Sequence, residues 1–230
     1  MPAVLEVASD IHCPWAYVCV LRLRRTRDAL GLDVALRHLY WPLELVNRRG
    51  TPRHILEAEI PVLAQVESDA FAAWKGAEWP STFLPAFELV KAAEEQGLPA
   101  ADDLDLALRR AFFLDHRNLS LRTVLFDVAR EVRALDLDAL QEAYDSGRTR
   151  RVVLREYDEV CRRGVEGSPE VYLPSGERVH NPGFTKKWHR GIPHVLSEDP
   201  DVYERLLREA ASSPSSTAGS QPEDDPPPGD

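Results

Sequence analysis

Three cysteines in 230 residues are too few for a disulfide framework. No apolar run approaches the eighteen or so residues that a membrane-spanning helix needs. The opening Met1-Pro2-Ala3-Val4-Leu5-Glu6-Val7 lacks the charged segment and extended apolar stretch of a secretory signal. The chain therefore reads as soluble and cytoplasmic, with its thiols kept reduced. Lysine is confined to Lys75, Lys91, Lys186 and Lys187, whereas arginine is abundant, a bias that a GC-rich genome would produce. Positive charge is outweighed overall. The formal charge is −10, and the four acids Glu223, Asp224, Asp225 and Asp230 of a tail without Lys or Arg leave −6 on the body. Such a balance excludes nucleic acid as a partner and gives no reason to expect a membrane surface. There are no internal repeats, and His180, His189 and His194 lack a metal-ligand spacing, so no metal is expected.

What is present is enough chain to bury a core unaided. Val4, Leu5 and Val7 within Ala3 to Ser9 predict a buried strand, and a helix follows from Pro14 to about Leu30, where Gly31 supplies the stop. Asp33 to Tyr40 alternates as a second strand, which completes a right-handed βαβ unit. After Trp41 the prolines Pro42 and Pro52 with Gly50 mark a loop, and helical periodicity then prevails to about Arg163. Within it, Phe83 to Gln96 forms one segment and the stripe Leu104, Leu108, Ala111 and Phe112 marks the next. Ser120 is placed as an N-cap with Leu119 and Val124 as a staple, and Asp138 with Gln141 as a capping box. Val153, Tyr157, Val160 and Cys161 share a stripe, which assigns Cys161 to the core. The sheet resumes as a hairpin, Glu170 to Leu173 and Glu177 to His180, and Asp201 to Ala211 is a closing helix. From Ser212 onward the Ser, Pro, Gly and acidic residues cannot offset ordering entropy, so residues 212–230 read as a disordered tail.

The chemistry converges on Asp10-Ile-His-Cys-Pro-Trp-Ala-Tyr17, between the first strand and its helix. Cys13 takes the N-cap place and Pro14 the first helical position, where a missing N–H costs nothing. A thiolate there faces the positive end of the helix dipole, which lowers its pKa from the free value of about 8.5. Three residues on, where a second thiol could reach the first, stands Ala16. Cys19, six residues on, lies about 9 Å up the axis and well round the cylinder, beyond the roughly 4.4–6.8 Å between bridged Cα atoms. Cys13 is thus a candidate single-thiol nucleophile, and Cys19 a small buried hydrophobe.

The Cys-Pro-Trp-x-Tyr segment between strand and helix resembles the start of DsbA-type thioredoxin-fold oxidoreductases, especially cytosolic relatives near the 2-hydroxychromene-2-carboxylate isomerases and kappa-class glutathione transferases. Val165-Glu166-Gly167-Ser168-Pro169 is similar to the Val-x-Gly-x-Pro segment of the same fold. That resemblance implies a cis proline facing the thiol, with the Ser168 backbone presented to a thiol ligand in a strand-like pairing. It implies an α/β thioredoxin fold whose two parts, residues 1–50 and 165–211, flank a helical insertion at 51–164. It also implies an oxidoreductase, isomerase or thiol transferase acting through Cys13, with no tightly bound cofactor. Glutathione, mycothiol or another low-molecular-weight thiol, or an electrophilic small molecule, would be its partner. Because Ala16 replaces the second cysteine of dithiol members, an adduct on Cys13 would need resolution by another molecule.

Each candidate has a plainer reading. Cys13 is otherwise a packing cysteine. His12 either assists the thiol as a base or charge, or is a solvated loop histidine, and Asp10 is a buried proton carrier or merely caps the helix start. Trp15, Trp41, Trp79 and Trp188 either line an aromatic cleft for a planar ligand or serve as packing. The Ser168-Pro169 segment is otherwise a tight turn feeding a strand. The whole site could then belong to a redox-inactive binding module for a peptide or a small aromatic ligand. The sequence leaves the oligomeric state open.

Overall fold

The computed structural model describes residues 2–50, 52–75 and 78–212. β1 (Ala3–Ser9) and β2 (Val34–Tyr40) pair in parallel, in register from Ala3 with Val34 to Ser9 with Tyr40. They are joined by α1 (Pro14–Leu30), which ends at Gly31 in the left-handed region, φ 60°. There the Gly31 and Leu32 N–H groups donate to the Asp28 and Arg27 carbonyls, closing the helix end that glycine permits at least cost. Eight α-helices and one short 3-10 turn (Ser68–Ala70) follow in the rest of the described chain. A short α2 (Leu43–Val46) lies inside the stretch expected to be loop. Beyond it come α3 (Arg53–Leu63), α4 (Leu84–Glu94), α5 (Leu98–Phe113), α6 (Arg122–Glu131), α7 (Leu137–Asp145) and α8 (Arg148–Arg162).

The chain then returns to the sheet. β3 (Glu170–Tyr172) pairs antiparallel with β1, and β4 (Arg178–His180) with β3, giving the order β2-β1-β3-β4. A βαβ unit and a ββα unit that share this four-stranded sheet, with helices between them, form the thioredoxin fold that the motifs implied. A separate hairpin, β5 (Phe184–His189) with β6 (Ile192–Glu198), was not foreseen and precedes α9 (Val202–Ser212). The expected tail lies outside the described residues except for Ser212, the last residue of α9.

α1 is buried continuously from Pro14 to Leu23, a pattern that a helix shows when both its faces are covered. One face meets the inserted helices in a core that includes Trp15, Tyr17, Phe71, Phe87, Phe112 and Phe113. The other packs with the sheet and α9 through Cys19, Leu23, Leu5, Val171, Leu206 and Leu207. α1 is wedged between these two cores, and its N-terminal turn, through Trp15, Ala16 and Tyr17, sits in the first of them.

Three local expectations are corrected. α6 starts one residue later than expected, with Leu121 in the N-cap place, because the Ser120 hydroxyl donates to Asn118 Oδ1 at 2.6 Å rather than capping the helix. α7 is capped by Asp136, whose carboxylate accepts the Asp138 and Ala139 N–H groups, so Asp138 belongs to the first turn. Cys161 is exposed. The face of α8 that points inward runs through Thr149, Val153, Glu156 and Val160, and Glu156 is accommodated there because Lys91 lies 2.6 Å from it. Counting only apolar residues rotates that face by one position.

Candidate functional site

β1 ends against the loop that carries Asp10, His12 and Cys13, and a web of hydrogen bonds fixes the loop before α1 begins. Asp10 is fully buried. Its carboxylate accepts the His12 N–H at 2.9 Å and the Leu43 N–H at 2.7 Å, and its own N–H donates to the Ser168 hydroxyl at 2.9 Å. Arg109, a fully buried residue of α5, donates to the Asp10 carbonyl at 2.9 Å and to Ser9 Oγ at 2.9 Å while Asp105 neutralises its guanidinium at 2.7 Å. Three separate stretches of chain, at Leu43, Arg109 and Ser168, are thereby tied to one loop.

Cys13 occupies the N-cap of α1 with Pro14 next in the helix, as the motif predicts. Its Sγ lies 3.2 Å from the Ser168 carbonyl, to which the thiol donates. The Ser168–Pro169 bond is cis, and the Pro169 carbonyl accepts the Asn181 N–H at 2.9 Å. Just before it, Gly167 packs against the His180 ring: an added Cβ would stand 2.5 Å from His180 Cε1, so one of the two would have to shift. The electrostatics at the thiol differ from expectation. Burial, with Cys13 only 6% exposed, pushes the thiol up and the Glu59 carboxylate adds to this, while the Ser168 side chain, Lys186 and the Ala16 backbone pull the other way without prevailing. A helix N-terminus offsets only part of the loss of water around a buried anion. The resting group is a hydrogen-bonded thiol.

His12 is buried rather than solvated, at 1% exposure. Its ring stacks on Phe83 with centroids 4.3 Å apart, and its Nδ1 lies 2.5 Å from the Asp10 carboxylate. Of the four tryptophans singled out from the sequence, Trp15 and Trp41 border a cavity of about 360 Å³ together with His12, Cys13, Pro14 and Ser168. Trp79 packs instead on Trp74 and Phe112, and Trp188 is 45% exposed on β5. Leu43, Val46, Ile55 and Leu56 give the cavity an apolar wall. Among the described residues there is no cluster of His, Cys, Asp or Glu that could hold a metal, and no helix long and apolar enough to cross a membrane.

Two residues of this site escaped the sequence. Glu59 stands on the apolar face of α3 beside Leu56, Ile60 and Leu63, and accepts the Trp15 indole N–H at 2.7 Å. A glutamate on an apolar stripe was the available signal. Burial raises its pKa, with the Trp15 hydrogen bond opposing. Lys186, from the unforeseen hairpin, places its ammonium 3.9 Å above the centre of the Trp15 ring. Nothing local in its sequence marks it.

No family model matches the sequence, and no curated protein does. Solved structures do resemble it. The probable DsbA oxidoreductase of Streptomyces coelicolor is similar with a TM-score of 0.64 at 20% identity, over 90% of this chain and 89% of that one. The cytosolic disulfide reductase DsbM of Pseudomonas aeruginosa gives 0.56 at 18% identity, over 89% and 97%, and its structure with GSH gives 0.53. A 2-hydroxychromene-2-carboxylate isomerase gives 0.56 at 14% identity, over 76% and 87%.

Proposed function

We propose, from the premise that this chain has the DsbA-like thioredoxin fold with a helical insertion, that it is a thiol enzyme working through Cys13 alone. The observation that carries the reading is the placement of the Cys13 sulfur at the N-terminus of α1, 3.2 Å from the Ser168 carbonyl and at the edge of a ligand-sized cavity. In the step proposed, the Cys13 thiolate attacks one sulfur of a mixed disulfide X–S–S–R. A bond forms from Cys13 to the R-bearing sulfur as the old S–S bond breaks, and X–S⁻ leaves. A molecule of R–SH then attacks the adduct, restores Cys13 and departs as R–S–S–R. The sum is X–S–S–R plus R–SH giving X–SH plus R–S–S–R, an exchange in which the incoming R–SH sulfur is oxidised to disulfide as the X sulfur is reduced to thiol and takes the proton. With Ala16 in the position of a resolving thiol, the external R–SH is an obligatory reactant.

Each site residue has a place in this reading. His12, oriented by Asp10, takes the thiol proton. Pro14, Trp15 and Trp41 border the space for R, and the Ser168 and Pro169 segment offers its backbone to the ligand as a strand edge would. A cytosolic setting with glutathione, mycothiol or another abundant small thiol as R–SH completes the proposal. The likeness to a cytosolic reductase also seen with GSH supports it. The same held thiolate would serve an isomerase or transferase whose substrate is a small electrophile.

The raised thiol favours a second reading, in which the cavity binds a peptide or a small aromatic ligand without redox chemistry. Steady-state kinetics with a fluorescent mixed disulfide and excess glutathione separate the two. Ping-pong kinetics that vanish in Cys13→Ser support the enzyme. Absence of turnover across glutathione, mycothiol and model thiols, with ligand affinity retained in Cys13→Ser, supports the binding module.

A further inference from the structure

Cys13 is held as a thiol by burial, so a nucleophile at this position needs a positive group that becomes its partner once the proton leaves. The charged groups around it come from every element packed against α1. His12 and Asp10 lie in its own loop, with the imidazole against the Asp10 carboxylate at 2.5 Å. Arg109 reaches the loop from α5, but its guanidinium is committed to Asp105 at 2.7 Å. Glu59 from α3 presents a negative charge, and Arg49 borders the same cavity further round. Lys186 enters from β5.

The hairpin that carries Lys186 is anchored to α1 itself. Arg22, nine residues along the helix from Cys13, pairs with Glu198 of β6 at 2.7 Å and lies over the Phe184 ring at 4.9 Å. Phe184 meets the Trp15 ring edge-on at 5.6 Å, and Lys186 then lies over that same indole at 3.9 Å. Trp15 therefore divides two opposite charges, with Glu59 bound to its N–H edge and Lys186 resting on its face. Among the described residues no carboxylate comes within 4.0 Å of the Lys186 ammonium. Its charge is left for another anion, and the sulfur borders the same cavity.

We propose that Lys186 is the counter-ion of the Cys13 thiolate. On deprotonation the sulfur loses its reason to face the Ser168 carbonyl, since a thiolate cannot donate to it, and turns toward the ammonium and the N-terminal amides of α1. That movement also frees the Ser168 carbonyl to accept an N–H from the ligand. Burial pushes Lys186 down and prevails, while the charges of Cys13 and Glu59 pull it the other way. The inference rests on the thiol chemistry proposed above.

The test is the pH profile of iodoacetamide alkylation at Cys13 in the full chain, on a Cys161→Ser background that removes the exposed thiol. Lys186→Met should move the profile to higher pH and slow the reaction about tenfold near neutrality, the effect of one unit in thiol pKa. Lys186→Arg should restore the wild-type profile, and Glu59→Gln should move it to lower pH. Failure of Lys186→Arg to restore the profile, or superimposable wild-type and Lys186→Met profiles on a reacting Cys13, overturns the counter-ion role and leaves the nucleophile standing. A wild-type Cys13 that reacts at no pH overturns the nucleophile, and the counter-ion with it.

Discussion

Asp10→Asn should destabilise the protein out of proportion to the change of one atom. The buried Asp10 carboxylate uses its two oxygens separately, one accepting the His12 N–H at 2.9 Å and the other the Leu43 N–H at 2.7 Å. An amide keeps a single oxygen, so one of these buried N–H groups must face an NH₂ donor instead. Leaving a buried donor unsatisfied costs about 1–3 kcal/mol, with the upper half of that range expected where a charged acceptor is lost. About 2–3 kcal/mol is therefore expected for Asn, and roughly 3–5 kcal/mol for Asp10→Ala, which orphans both donors. Against a typical total of about 5–15 kcal/mol these are large losses. Urea unfolding near neutral pH measures them as a shift of midpoint at unchanged slope. Losses below about 0.5 kcal/mol for both variants, the scale of an ordinary surface substitution, would refute the view that Asp10 holds the Cys13 loop.

Acid stability should depend on Asp102. Burial alone would raise its pKa, but the hydrogen bond and charge of His38 and the charge of Arg24 outweigh that and bring it down to about 2. A depressed carboxylate stabilises the fold above its unfolded pKa, and the contribution disappears as pH falls from about 4 through 2, some 2 kcal/mol in all. Asp102→Asn should flatten the fall in urea midpoint over that window, and an unchanged fall would contradict the assignment. Ala16→Cys should create a reducible bond to Cys13, because it puts a thiol at the reachable helical position. Thiol counts that do not drop on oxidation would argue against it. Gly167→Ala should displace the His180 ring or the Ser168-Pro169 segment beside it, since the new Cβ stands 2.5 Å from His180 Cε1. Its signature is a Cys13 alkylation rate altered at least severalfold, and a wild-type rate would show that the segment is not held by this contact.

The parts of the fold that could be read from sequence are those whose signals are local. Alternation fixed β1 and β2, Pro14 and Gly31 bracketed α1, and the two short motifs placed Cys13 opposite Ser168. The hairpin β5–β6 was missed because Lys186, Lys187 and His189 interrupt its apolar alternation. Arg190 and Gly191, at φ 49° and 78°, were the available cue, a two-residue turn of the kind that joins antiparallel strands. Glu59 and Lys186 were illegible for a different reason. Their role comes from Trp15, 44 residues from Glu59, and from a strand whose position depends on Arg22. The sign of the Cys13 shift could not be read from N-cap placement either, since the helix dipole is a property of the motif and burial a property of the whole molecule.

The central claim, a single nucleophilic thiol at Cys13, is tested most directly by intact-mass analysis after incubation with glutathione disulfide, mycothiol disulfide and a panel of small electrophiles. The account predicts one adduct per chain on Cys161→Ser protein, removed by excess thiol when it is a disulfide and absent from the Cys13→Ser variant of the same background. Protein left at its unmodified mass across the panel, or an adduct that survives Cys13→Ser, would contradict it.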